Sequence, residues 1–87
     1  DKTDSQNKDV IQLEYKGAVK KGTKGEHVKE LQKALKLLGY YKDAIDGSAG
    51  PNTVAAIKAF QKANGLTVDG SAGPATYGKL NEVLRRL

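Results

Sequence analysis

Two carboxylates stand out because each arrives with the same company. Ile45-Asp46-Gly47-Ser48-Ala49-Gly50-Pro51 returns 23 residues later as Val68-Asp69-Gly70-Ser71-Ala72-Gly73-Pro74, and each copy carries a threonine two residues past its proline, Thr53 and Thr76. A carboxylate accepts hydrogen bonds from sugar hydroxyls and peptide amides, and a serine hydroxyl both donates and accepts. Read as ligand groups, Asp46, Ser48, Asp69 and Ser71 suit a partner rich in hydroxyls and amides. Read as architecture, each aspartate holds its own turn, with the following glycine supplying a positive φ. Neither aspartate has beside it a base, metal ligand or nucleophile with a recognisable role, so no active site is expected.

Tyr40 and Tyr41 lie in the loop just past Gly39. An aromatic ring with a hydroxyl suits an amphipathic sugar or peptide surface, and loops carry such contacts more often than helix interiors. Lys42 and Asn52 add polar groups near the same loop. Gln32 and Gln61 each follow an apolar residue, Leu31 and Phe60, and are expected to be buried amides bonded to a returning loop. His27, beside an inward Val28, is read as a surface residue without chemistry.

Three helical signals position these groups. Thr23 stands three residues before Glu26, the spacing of a capping box, and Val28, Leu31, Leu35 and Leu38 then form one apolar stripe closed by Gly39. A second helix starts at Pro51, with Val54, Ile57, Phe60 and Ala63 expected inward and Gly65 at its end. The third starts at Pro74, with Tyr77, Leu80, Val83 or Leu84, and Leu87 inward. The unit is a turn followed by a helix, used twice, with long connecting loops. The fold class is therefore all-α, a three-helix bundle.

At 87 residues and 9.3 kDa, 38% hydrophobic, the chain can build one modest core. Without cysteine it has no disulfide or thiolate site, and one histidine cannot hold a metal alone, so neither metal nor cofactor is expected. No apolar run approaches the roughly 18 residues that cross a bilayer. The sequence opens on Asp1, read as a chain freed of an export signal or cut from a longer protein. Residues 1–17 read as a linker, disordered or extended, with Ile11, Leu13 and Tyr15 alternating with polar residues, and 18–87 as the domain. Residues 1–16 carry three lysines against four acidic groups; the remainder carries twelve basic residues against six acidic ones. Those lysines spread over polar helix faces without interleaved aromatics, which argues against nucleic acid; a different anionic polymer would be a better match.

Gly22, Gly25, Val28, Leu31-Gln32, Leu35, Leu38-Gly39-Tyr40, Asp46-Gly47, Gly50, Thr53, Ala56, Phe60-Gln61, Gly65-Leu66, Asp69-Gly70, Gly73, Thr76 and Leu80 together resemble the peptidoglycan-binding domain, type 1, of bacterial wall hydrolases. The resemblance spans about residues 18–87. It implies a monomeric three-helix module, not itself an enzyme, that binds peptidoglycan outside the cell or in the wall and holds an attached catalytic domain there. It also implies that Tyr40 packs inward and Tyr41 stays exposed. The ligand surface is then Tyr40, Tyr41, Lys42, Asp46, Ser48, Asn52, Asp69 and Ser71. The chain departs from the family at Ala49 and Ala72, where larger residues are frequent, and at Tyr77, where tryptophan is common. Lost volume there would cost on the order of 1 kcal/mol unless Ile11, Leu13 and Tyr15 cover the gap. Two other readings stay open: a structural or regulatory module packed on its own enzyme, as helical pro-domains are, and a protein–protein adaptor.

Overall fold

Glycine and proline decide where the helices begin and end. A computed structural model of the chain describes residues 13–86. Helix α1 is Glu26–Leu37, α2 Pro51–Ala63 and α3 Pro74–Arg85. Helices α2 and α3 each start with proline after an extended glycine, Gly50 or Gly73. Proline suits that first position because its missing N–H would have no intrahelical acceptor. Past α1, Gly39 takes φ +92°, so the Tyr40 N–H reaches Leu35 O at 2.8 Å and the Gly39 N–H reaches Lys36 O at 3.1 Å. Past α2, Gly65 repeats the device, with Leu66 N–H donating to Gln61 O at 2.9 Å. This paired closure satisfies the last carbonyls of each helix and turns the chain away.

The fold is all-α, with one core. Val28, Leu31, Ala34 and Leu35 of α1 meet Ala56, Ile57 and Phe60 of α2 and Tyr77, Leu80 and Leu84 of α3, all buried. Among the described residues the only β pairing is two isolated antiparallel bridges, Val19 with Ala72 and Lys24 with Ser48. They belong to a strap, residues 19–25, that stitches the two repeated turns together. Val19 exchanges both backbone bonds with Ala72 (3.2 and 2.8 Å), Ala49 N–H donates to Thr23 O at 2.8 Å, Gly22 N–H to Ala49 O at 2.9 Å, and Gly25 N–H to Gly47 O at 3.0 Å. Ala49 and Ala72, whose backbones the strap pairs with, are fully covered and belong to the core.

Four expectations change. The Thr23–Glu26 capping box does not form: Gly25 precedes the helix at φ +143°, and the Thr23 hydroxyl instead accepts from Lys20 N–H at 3.1 Å. Thr23 is held in the strap, so it cannot also cap α1. Ala63 is exposed and Val54 only half-buried, because the face of α2 that meets the core is Thr53, Ala56, Ile57, Phe60 and Gln61, two of them polar. Tyr41, expected outside, packs inward as Tyr40 does and is the more deeply buried of the two. Tyr41 is only 4% exposed, while Tyr40 is half-buried with its ring edge-on to Phe60, centroids 5.5 Å apart. The Tyr41 hydroxyl donates to Ala44 O and lies 3.3 Å from Gln32 Nε2, so polar partners draw that ring inward.

On α3, Leu84 is buried and Val83 half-buried, and Leu87 lies outside the described residues. Before the strap, Leu13 is buried and clasped by Asn81, whose Oδ1 accepts from Leu13 N–H at 2.7 Å and whose Nδ2 donates to Leu13 O at 2.8 Å. Tyr15 sets its ring edge-on to Tyr77, centroids 5.3 Å apart. These are two of the three residues expected to cover the small turns; Ile11 and residues 1–12 as a whole lie outside the described region.

Candidate functional site

Each repeated turn is held by one glutamine from the helix before it. Gln32 Nε2 lies 3.1 Å from Asp46 Oδ1, 3.1 Å from Ser48 O and 3.0 Å from Thr53 Oγ1, while its Oε1 accepts from Gly47 N–H at 3.0 Å. Gln61 does the same on the second copy: Nε2 to Asp69 Oδ1 at 3.0 Å, Ser71 O at 2.9 Å and Thr76 Oγ1 at 3.1 Å, with Gly70 N–H on Oε1 at 3.1 Å. Both amides are buried and saturated, so neither is left to meet a ligand. The glycines are required. Gly47 and Gly70 sit at φ +77° and +76°, and a Cβ on either would lie 3.1 Å from Lys29 Cγ or 3.0 Å from Lys58 Cε.

The aspartates hold the turns and still face solvent. Asp46 Oδ1 accepts from Ser48 N–H at 3.0 Å and Asp69 Oδ1 from Ser71 N–H at 2.9 Å. Those backbone bonds first, then the glutamine amides, hold both carboxyls below the ordinary carboxylate value. Each frame uses one carboxylate oxygen and only the backbone of its serine. A second oxygen on an exposed, ionised carboxylate and a serine hydroxyl stay outside it, a pairing that accepts from hydroxyls and amides.

The structure gathers most of the expected residues on the first repeat and separates the rest. Tyr40, Tyr41, Lys42 and Asn52 line a groove of about 400 Å³ together with Asp43, Ala55 and Ala56. A notch of about 180 Å³ adjoins it, sharing Tyr41, Asp43 and Asn52 and adding Asp46 and Ser48. Asp69 and Ser71 line a different depression, about 480 Å³, with Leu66, Thr67 and Thr76 on the second repeat. Asp43 was missed by the sequence reading. Its carboxylate accepts from the Asn52 amide, and its carbonyl accepts from Lys36 Nζ at 3.4 Å, which braces the groove. The signal was present: six residues separate Gly39 from Asp46 but only three separate Gly65 from Asp69, and the extra loop length holds Asp43. Among the described residues, no three His, Cys, Asp or Glu gather where a metal ion could be held, and no helix is long and apolar enough to cross a membrane.

The class of protein is therefore an all-α, three-helix module whose two repeated turns are each framed by a buried glutamine. Residues 24–80, which contain both frames, match the peptidoglycan binding domain family, and the chain belongs to that family. It is 40% identical over 73 residues to the zinc D-Ala-D-Ala carboxypeptidase of Streptomyces albus G, a match covering 79% of this chain and 28% of that protein. It is 47% identical over 68 residues to the N-acetylmuramoyl-L-alanine amidase CwlH of Bacillus subtilis, covering 71% and 27%. The chain therefore spans just over a quarter of the length of these two relatives. Among solved structures, the SleB N-terminal domain superposes with a TM-score of 0.78 at 38% identity, covering 80% of this chain and 96% of that one.

Proposed function

We propose that this chain binds bacterial peptidoglycan non-covalently through the first-repeat groove and its notch, and that it holds an attached catalytic domain against the wall. The observation that carries the reading is the family match over residues 24–80, the stretch that builds both frames. The relatives support the second half: their names are those of wall-cleaving enzymes, and the part this chain matches is a minor share of each. The chemistry of the groove agrees. Tyr40 offers a ring face, Asp46 an ionised acceptor, and Ser48, Asn52 and Lys42 offer donors, a set that meets the amides and hydroxyls of murein without a group that cleaves them. Weak binding is sufficient, because a tether turns each later encounter of the enzyme with its insoluble substrate into an intramolecular one. The place of work is then the wall or the space outside the membrane.

Mixing the chain with purified sacculi and centrifuging tests this. Depletion from the supernatant that survives moderate salt, and is lost in an Asp46→Ala/Asn52→Ala variant that keeps its helical circular dichroism, is the expected result. A chain that stays in solution with sacculi of every cross-link type defeats the proposal.

A further inference from the structure

The outward face of α2 carries a second depression beside the groove. Ala55 lines both the groove and a cleft of about 330 Å³ whose other walls are Lys21, Pro51, Val54 and Lys58. Pro51 likewise lines this cleft and the Asp46–Ser48 notch. Pro51, Asn52 and Ala55 are all exposed, and the two depressions adjoin along this edge of α2. A chain-like ligand lying in the groove runs directly onto the cleft.

The chemistry changes across that edge. The cleft is floored by Pro51, Val54 and Ala55, its two charged groups are both ammonium ions, and no carboxylate lines it. Neither Lys21 nor Lys58 is in an ion pair among the described residues, whereas Lys29 and Lys79 each have a glutamate within 3.4 Å. The stem of Lys58 is settled over the second turn, where it occupies the space a Gly70 side chain would need. The Lys58 stem rests on the turn while its ammonium group has no counter-charge among the described residues.

Murein offers two kinds of chain to such a surface. The glycan strand is uncharged wherever its lactyl group is amide-linked to a peptide. The stem peptide carries carboxylates, on its γ-linked glutamate and at its C-terminus. Two ammonium groups on an apolar floor add little for a neutral sugar and supply charge-assisted hydrogen bonds to a carboxylate. We infer that the peptidoglycan ligand is the stem peptide, with Lys21 and Lys58 holding one of its carboxylates while its neighbouring residues lie in the Tyr40–Asn52 groove. This rests on the wall-binding reading above.

The test is an amide-shift titration of the 87-residue chain with three probes: L-alanyl-γ-D-glutamyl-L-lysyl-D-alanine, the same peptide with both carboxyls amidated, and chitotetraose. The free peptide is expected to move Lys21, Val54, Ala55 and Lys58, and amidation to weaken it about tenfold, as loss of two partly exposed charge contacts does. Lys21→Gln/Lys58→Gln should weaken the free peptide to the same extent and leave the amidated one unchanged, while Lys33→Gln/Lys62→Gln, an equal change of charge off the cleft, should not. Equal binding of the two peptides, chitotetraose moving the same amides, or a free peptide that moves none of them at millimolar concentration overturns the inference. If wild type pellets with sacculi while any of these holds, only the stem-peptide assignment fails; if it does not pellet, the wall-binding reading fails first.

Discussion

Replacing Tyr77 by phenylalanine should make this protein more stable. Tyr77 is 3% exposed, its ring contacts Tyr15, and its hydroxyl has no hydrogen-bond partner among the described residues. Burying a hydroxyl without a partner costs about 1–3 kcal/mol, and phenylalanine keeps the ring while removing the cost. Taking the lower part of that range, Tyr77→Phe gains about 1 kcal/mol, which for a domain this small raises Tm by about 4–8 °C. The pH dependence gives an independent reading. Burial first, then the Glu30 carboxylate and Tyr15, push the Tyr77 hydroxyl from 10.0 up to about 12. The folded state therefore keeps a proton that the unfolded chain releases above pH 10. This titration leaves the parent's stability unchanged below pH 10 and lowers it as pH rises toward 12, by on the order of 2 kcal/mol in all. Every lysine and every other tyrosine is common to both proteins and cancels in the comparison. Urea titrations at pH 7, 9, 10.5 and 11.5 should show the advantage of the variant widening only above pH 10. A variant that is less stable than the parent at pH 7, or a gap that stays constant with pH, refutes the reasoning.

Three further perturbations test the architecture. Gln61→Ala strips the second turn of its amide and leaves the buried Gly70 N–H without its acceptor; a loss of about 2–3 kcal/mol in urea unfolding is expected, a large share of so small a domain's stability. Asn81→Ala removes both bonds to the Leu13 backbone, so the Leu13 amide should exchange with solvent at the rate of an open chain while α1 and α2 amides stay protected. Asp46 and Asp69 both titrate below 3.8 in the folded state, so what their frames contribute is fully present above about pH 4 and is lost as pH falls through the lowered values. Asp46→Asn/Asp69→Asn should flatten the acid limb of the stability curve between pH 4 and 2, measured by circular dichroism, and an unchanged limb would mean the frames do not bias those carboxyls.

What was legible in the sequence is what a residue type imposes on its own backbone. Gly39 and Gly65 end helices because they alone accept a positive φ cheaply, and Pro51 and Pro74 begin them because they lack a donor; neither requires knowledge of a distant partner. The buried role of Gln32 and Gln61 was legible too, since a polar residue set inside an apolar stripe must bring its own partners. The errors share one physical cause. Thr23 has the spacing of a capping box, and Tyr41 the place of an exposed ring, yet partners outside the local pattern hold both: Ala49 N–H pairs with the Thr23 carbonyl and keeps that residue in the strap, and Gln32 of α1 meets the Tyr41 hydroxyl. Ala49 and Ala72 show the same limit from the other side. Read alone they are missing volume; in the fold they are fully buried core residues whose backbones pair with the strap. A backbone N–H carries no mark of the side chain beside it, so a register set by backbone pairing leaves little trace in the sequence. The site inherits this. Its polar groups could be named from the repeat, but that Asp43 braces the groove and that Asp69 and Ser71 face a separate depression follow from how the strap and the longer first loop seat the two turns.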